Sequence, residues 1–157
     1  MKTIIFIFIT LFPILAFAQQ SSENIITEEQ PVKKTAINVG VLMGGGSLIG
    51  ADFEYMFVPK VALQAGAGIS SFGFGLNYHL KERINSSFIS VQYMKQGFGV
   101  NHYATYIAPT FNFRLKKVFQ AGAGFGYVID KGPAIEGTKF KDMTSTLIFN
   151  IGVYFPL

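Results

Sequence analysis

The fold of this chain is decided by residues 144–157, which read TSTLIFNIGVYFPL. From Leu147 onward every second residue is apolar: Leu147, Phe149, Ile151, Val153, Phe155 and Leu157. The residues between them form a smaller and more polar set that includes Thr146, Asn150 and Gly152. A period of two predicts a β-strand with one apolar face and one mixed face.

The same alternation recurs along the chain from residue 36 onward. It divides the sequence into eight segments: residues 36–43, 48–57, 61–69, 72–80, 87–95, 102–115, 118–129 and 144–157. The motif Gln-Ala-Gly-Ala-Gly occurs at residues 64–68 and again at 120–124, which predicts equivalent positions for the third and seventh strands. None of these segments is an apolar run of the roughly 20 residues that a membrane-spanning helix requires.

The composition supports an all-β chain with an apolar surface. Half of the 157 residues are apolar and only 14% are charged, whereas about a quarter are charged in an average soluble domain. The absence of cysteine excludes disulfides, cysteine-based zinc sites and thiol nucleophiles. The net charge of +4 comes from basic residues scattered over apparent turns, among them Lys60, Lys81 and Arg83, so nucleic acid is not an expected partner.

The N-terminal residues predict export from the cytoplasm. Residues 1–18 combine Lys2, an apolar core and the ending Ala16-Phe17-Ala18, a pattern typical of a cleaved signal peptide. Residues 19–35 are polar and predict a disordered periplasmic tail. The β-barrel domain is then expected over residues 36–157.

The character of the two strand faces predicts a barrel turned towards lipid. The less apolar face carries Gly, Asn, Gln, Ser and Thr with few charges, which suits a narrow polar lumen rather than a surface in water. We therefore predict an eight-stranded antiparallel up-and-down transmembrane β-barrel. The signal peptide and the even number of strands together place both ends in the periplasm. The short turns at residues 58–60, 81–86 and 115–117 are then periplasmic, and the longer loops at 96–101 and 130–142 are on the outer side.

Aromatic residues are expected to form a girdle at each membrane interface, because amphipathic rings favour the headgroup region. The periplasmic girdle is predicted to contain Phe57, Tyr78, Phe113, Phe119 and Phe155, and the outer girdle Phe72, Tyr93, Tyr103 and Tyr127.

Four polar side chains are predicted to form a charge network in the lumen. Asp52 and Glu54 lie on the inward face of the second strand, and Arg114 is expected to reach them from the sixth strand, with His79 nearby. Unpaired buried charges are costly, so pairing is favoured over acid–base catalysis. The two histidines, His79 and His102, have no metal-ligand spacing, so neither a metal nor a cofactor is predicted.

Residues 36–157 resemble the small eight-stranded outer-membrane barrels, the OmpA/OmpX-like group and the porin-like "outer membrane protein beta-barrel" family. The resemblance rests on the strand pattern, the signal peptide and the alternating last strand. That family usually ends on Phe or Trp, whereas here Pro156 and Leu157 follow Phe155. The resemblance implies a monomer in a Gram-negative outer membrane, in contact with outer-membrane lipid, whose C-terminal strand is recognised by the barrel-assembly machinery.

The function expected from these features is a non-enzymatic structural role or binding by the outer loops. Three alternatives remain open at this point. The barrel could be a narrow pore for small solutes or a lipid-modifying enzyme that uses one of its histidines. It could also be a secreted, soluble, lipocalin-like barrel that holds an apolar ligand in its core.

Overall fold

The computed structural model describes residues 33–115 and 118–157. The predicted signal peptide and residues 19–32 of the predicted tail lie outside this part. Eight strands are present: β1 (Thr35–Val41), β2 (Gly50–Val58), β3 (Val61–Gly68), β4 (Ser71–His79), β5 (Phe88–Gln96), β6 (Ala104–Leu115), β7 (Phe119–Lys131) and β8 (Ser145–Pro156).

The strands close into one antiparallel barrel. Each strand pairs with its neighbours in the sequence, and β8 pairs with β1, with Val39 opposite Val153. Beyond the paired strands, the Leu157 amide donates to the carbonyl of Thr35 at 2.9 Å. The predicted eight-stranded antiparallel up-and-down barrel is confirmed. Closure leaves no strand edge exposed.

Several strand ends differ from the prediction. β1 begins at Thr35, and β6 begins at Ala104 rather than residue 102, because a 3-10 turn (Gly99–Asn101) occupies the end of the preceding loop. β7 continues to Lys131, and the connection that follows contains a single helical turn, α1 (Pro133–Glu136). Within the described residues, no helix has the length and hydropathy needed to cross a membrane.

The barrel has two distinct ends. The terminal end holds the start of β1, the end of β8 and the connections after β2, β4 and β6. The loop end holds the connections after β1, β3, β5 and β7, including residues 97–103 and 132–144. The longest connection, residues 132–144, is at the loop end, as the sequence predicted. The predicted contrast in length fails for residues 97–103, because this seven-residue loop is shorter than the eight-residue connection 80–87 at the terminal end.

The outer face of the barrel is apolar on every strand. Exposed large apolar side chains occur on all eight strands, for example Phe53 on β2 and Phe149 on β8, each 49% exposed. Only six charged residues lie within the strands. Three of them are buried inside (Asp52, Glu54, Arg114), and three lie near the loop end (Lys95, Asp130, Lys131). The outward surface between the two ends thus carries no charge.

Eight of the nine predicted girdle residues lie within strands, close to the end where each was expected. Phe57, Tyr78, Phe113, Phe119 and Phe155 are near the terminal end, and Phe72, Tyr93 and Tyr127 are nearer the loop end. Phe72 is the centre of an aromatic cluster with Phe74, Tyr93 and Phe98, at ring-centroid distances of 5.9, 6.5 and 5.9 Å. Tyr103 differs, because it precedes β6 and packs against an interior cluster that includes Met94 and Tyr106.

Candidate functional site: the lumen network and its two closures

A buried ion pair stands at the centre of the lumen near the terminal end. Arg114 Nη2 on β6 lies 2.6 Å from Glu54 Oε2 on β2, and both side chains are shielded from solvent. The inward position of each residue follows from the alternation of its strand. Short, charge-assisted contacts of this kind are the strong class of protein hydrogen bond.

Glu54 is held by two further donors from β4. His79 Nε2 lies 2.9 Å from Glu54 Oε1, and Asn77 Nδ2 donates to the same oxygen at 2.6 Å. Asn77 Nδ2 also donates to Gln64 Oε1 on β3 at 2.8 Å. The carboxylate is thereby surrounded by donors, which compensates for its removal from water.

The guanidinium group of Arg114 also has several hydrogen-bond and aromatic partners. Its Nε donates to Gln120 Oε1 on β7 at 2.8 Å, and its Nη2 donates to Asn38 Oδ1 on β1 at 3.0 Å. The guanidinium carbon lies 4.7 Å from the ring centroid of Phe88 on β5 and 4.6 Å from that of Tyr154 on β8. Arg114, Glu54 and the side chains that they contact directly or through Asn77 come from all eight strands. We call this set the lumen network; its members are Asn38, Glu54, Gln64, Asn77, His79, Phe88, Arg114, Gln120 and Tyr154.

The connection between β4 and β5 closes the lumen at the terminal end. Ile84 is buried against Ala36, Met56 and Ala62, and its carbonyl accepts a hydrogen bond from Arg114 Nη1. Ser86 Oγ lies 3.2 Å from His79 Nδ1. The predicted polar turn at residues 81–86 thus places an apolar side chain inside the barrel and is bonded to the lumen network.

The connection between β1 and β2 closes the lumen at the loop end. Gly44, Gly45 and Gly46 all have positive φ angles, of 63°, 79° and 83°, and fold inward against the walls. The amide of Gly44 donates to Asp52 Oδ2 at 3.3 Å, and Ser71 Oγ donates to the carbonyl of Gly44 at 2.7 Å. We call residues 42–49 the inner loop.

Glycine is required in the inner loop both for conformation and for space. A Cβ added to Gly45 would clash with the carbonyl of Phe72, and one added to Gly44 would clash with that of Ala67. Positive φ angles further disfavour any residue with a side chain. Residues 44–47, which lie between the first two predicted strand segments, therefore form a backbone plug inside the barrel.

Replacing Gly45 with valine is expected to displace the inner loop from the barrel. The readout is limited proteolysis of the folded protein, with cleavage within residues 42–49 located by mass spectrometry. Gly137→Val is the matched control, since an added Cβ at Gly137 meets no atom within 4 Å. Equal protection of the inner loop in both variants would contradict this description of the plug.

The structure places all four predicted network residues in the lumen. Glu54 contacts both His79 and Arg114, whereas Asp52 holds the inner loop through Gly44 and is linked to the network through a hydrogen bond with Gln64. Sequence reasoning missed Asn38, Gln64, Asn77 and Gln120 as network members. The repeated Gln-Ala-Gly-Ala-Gly motif was the available signal, because Gln64 and Gln120 are its first residues and both point inward.

The two histidines lie at opposite ends of the barrel. His102 Nε2 lies 3.1 Å from Thr105 Oγ1, and His102 Nδ1 lies 3.8 Å from Asp130 Oδ2 at the loop end. His79 is in the network near the terminal end. Among residues 33–115 and 118–157, no group of three or more His, Cys, Asp or Glu residues is placed to hold a metal ion.

Glu54, His79 and Ser86 form a carboxylate–histidine–hydroxyl sequence that resembles the order of a hydrolase triad. Ser86 Oγ is, however, engaged in closing its own turn, through the amide of Lys81 at 3.3 Å and its carbonyl at 3.2 Å. Glu54 is also neutralised by Arg114. The geometry is therefore better suited to fixing the turn than to activating a nucleophile.

Comparison of the chain with protein-family models, curated proteins and solved structures finds no match.

Proposed function

We propose that this protein is an integral outer-membrane β-barrel of the small OmpA/OmpX-like type, with a structural or loop-mediated binding role and no enzymatic activity. The observation that carries the proposal is where the polar and apolar side chains lie, because their arrangement is the reverse of that in a soluble protein. Buried polar and charged side chains occupy the centre of the interior, between two small apolar clusters, while large apolar side chains cover the outside of all eight strands. A lipid environment stabilises this arrangement and water does not.

The strand lengths support a membrane-spanning role. A tilted strand crosses a bilayer in about nine to eleven residues. Six of the eight strands reach this length: β2, β4 and β5 have nine residues each, and β6, β7 and β8 have twelve, thirteen and twelve, whereas β1 and β3 have seven and eight. The uncharged surface between the two ends then corresponds to the hydrocarbon region.

The same observations disfavour two of the alternatives. A lipocalin-like barrel would hold its ligand in an apolar interior, whereas this interior centres on Glu54, His79 and Arg114. A narrow pore needs a continuous lumen, whereas Ile84 enters one end and Gly44–Gly46 enter the other. Stepwise channel currents from the wild-type protein in a planar bilayer would restore the pore alternative.

Membrane fractionation followed by electrophoresis of boiled and unboiled samples tests the proposed function. We expect the protein in the outer-membrane fraction, with different migration before and after boiling, because a closed barrel resists detergent until heated. A protein found in the soluble fraction without detergent would overturn the proposal.

A serine hydrolase acting on membrane lipid is the second candidate, favoured only by the contacts among Glu54, His79 and Ser86. A fluorophosphonate probe tests it directly, since such probes label activated serines. Labelling of the wild-type protein that is lost in Ser86→Ala would establish this candidate. We expect no labelling, because Ser86 is buried and its hydroxyl is already bonded within the turn.

A further inference from the structure

Three connections at the loop end surround a cleft of about 450 Å³. The connection after β3 contributes Ser70, the inner loop contributes Gly46, and the end of β5 with the following loop contributes Gln96, Phe98, Asn101 and Tyr103. This volume lies within the range typical of small-molecule sites, about 300–1,000 Å³. We call it the loop-end cleft.

The walls of the loop-end cleft are tied together by hydrogen bonds. The amide of Gly97 donates to the carbonyl of Ser70 at 2.7 Å, and Gln96 Nε2 donates to the carbonyl of Gly46 at 3.2 Å. The amide of Ser70 donates to Ser47 Oγ at 3.4 Å. All three connections are thereby held in one arrangement, which reduces the entropy that a ligand would lose on binding.

Phe98 provides a fixed aromatic platform in the cleft. Its ring stacks on Phe72 with a centroid distance of 5.9 Å and an interplanar angle of 11°. Phe98 is nevertheless 51% exposed. One face of the ring is therefore covered by Phe72 while the rest is available to a ligand.

The polar groups of the cleft carry no charge. Asn101 offers an amide with two donors and an acceptor, Gln96 offers its amide oxygen and the one N–H that Gly46 does not use, and Ser70 and Tyr103 each offer a hydroxyl. A charged ligand would find no opposite charge among the lining residues. An acyl chain would bury these amides and hydroxyls without hydrogen bonds, at a cost in free energy.

We infer that the loop-end cleft binds an uncharged carbohydrate. The C–H face of a sugar ring matches an aromatic platform, and its hydroxyls match planar amides and hydroxyls that can both donate and accept. The inference rests on the proposed function, because it names the ligand class for binding by the outer loops. The sugar is either a free oligosaccharide or the saccharide part of a membrane lipid, since both present the same chemistry.

The binding test uses the full chain folded in detergent micelles. The probes are four uncharged trisaccharides (maltotriose, cellotriose, mannotriose and chitotriose), a sulfated trisaccharide, and a neutral glycolipid (diglucosyldiacylglycerol). Binding is followed by biolayer interferometry and by chemical-shift changes of the Gln96 and Asn101 side-chain amides. Phe98→Ala and Gln96→Leu are the test variants, and Phe140→Ala is the control. Phe140 is an exposed aromatic at the same end that lines a neighbouring cleft but not this one.

We expect at least one uncharged trisaccharide or the neutral glycolipid to bind, with affinity reduced about tenfold or more by Phe98→Ala and unchanged by Phe140→Ala. Binding of a trisaccharide would assign a free glycan, and binding of the neutral glycolipid alone would assign a membrane-anchored one. Absence of binding to all probes, binding only to the sulfated sugar, or binding that Phe98→Ala leaves intact would each overturn the inference. Fractionation remains a separate readout, so a membrane barrel that binds no sugar would leave the proposed function standing.

Discussion

Replacing Arg114 with leucine is expected to lower the free energy of unfolding by about 3–5 kcal/mol, because it leaves the buried carboxylate of Glu54 without its main partner. The substitution also removes hydrogen bonds to Asn38 and Gln120 and the contact with the Ile84 carbonyl. The measurement is urea unfolding of the protein in lipid vesicles, followed by the loss of the unboiled electrophoretic form.

Two further variants separate the loss of a buried pair from the loss of a charge. Lys139→Leu removes a positive charge at an exposed loop position and is expected to change the stability by less than about 0.5 kcal/mol. Adding Glu54→Gln to Arg114→Leu is expected to recover part of the loss, because the uncompensated charge is then gone. A cost below about 1 kcal/mol for Arg114→Leu would show that the lumen network contributes little to stability.

Replacing Ile151 with arginine is expected to cost about 2–4 kcal/mol in a bilayer. Ile151 lies near the middle of β8 and is 49% exposed on the outer face. A cation placed there would face the hydrocarbon region if the barrel spans a membrane. The measurement is again the free energy of unfolding in lipid vesicles.

Leu147→Arg is the matched control for Ile151→Arg. Leu147 is on the same face of the same strand, is similarly exposed, and lies closer to the loop end. The cost of arginine falls to about 0–1 kcal/mol near a membrane interface. In water both positions would accept arginine at a similar small cost, so equal and small effects would argue against a lipid-facing surface.

The number of strands, their order and their two faces could be predicted from the sequence, because alternation is a local property. In β8 the apolar positions are set by a period of two, and the structure places these residues on the outer face. The residues of β2 alternate in the same way, with Asp52, Glu54 and Met56 inside.

The closures of the lumen could not be predicted in the same way, because they depend on how the loops fill a closed barrel. The sequence 44–47 reads as a surface turn, and only the walls formed by β3 and β4 show that it folds inward. Ile84 was the one apolar residue in a polar turn, which was a signal that it is buried.

The interaction partners of Asp52 and Glu54 could not be predicted from the alternation of residues in β2 alone. Both point inward and lie two residues apart, so the sequence offered no basis for distinguishing their partners. The register of the closed barrel places Glu54 within 2.6 Å of Arg114, whereas Asp52 is one step nearer the loop end and contacts Gly44. Tyr103 is a similar case, because the start of β6 decides whether its ring faces outward.

The central claim, that the apolar outer face contacts lipid while the inner face encloses a packed polar lumen, is tested most directly by a cysteine scan along β8. The chain contains no cysteine, so single-cysteine variants at residues 147–151 and 153 can be spin-labelled without background. Gly152 is left unchanged, because an added Cβ would clash with the Val39 carbonyl. For the barrel in lipid vesicles, accessibility to oxygen, which is concentrated in lipid, should be high at residues 147, 149, 151 and 153 and low at 148 and 150. High accessibility of the odd-numbered positions to a water-soluble nickel complex instead would contradict the account, because it would place the apolar face in water.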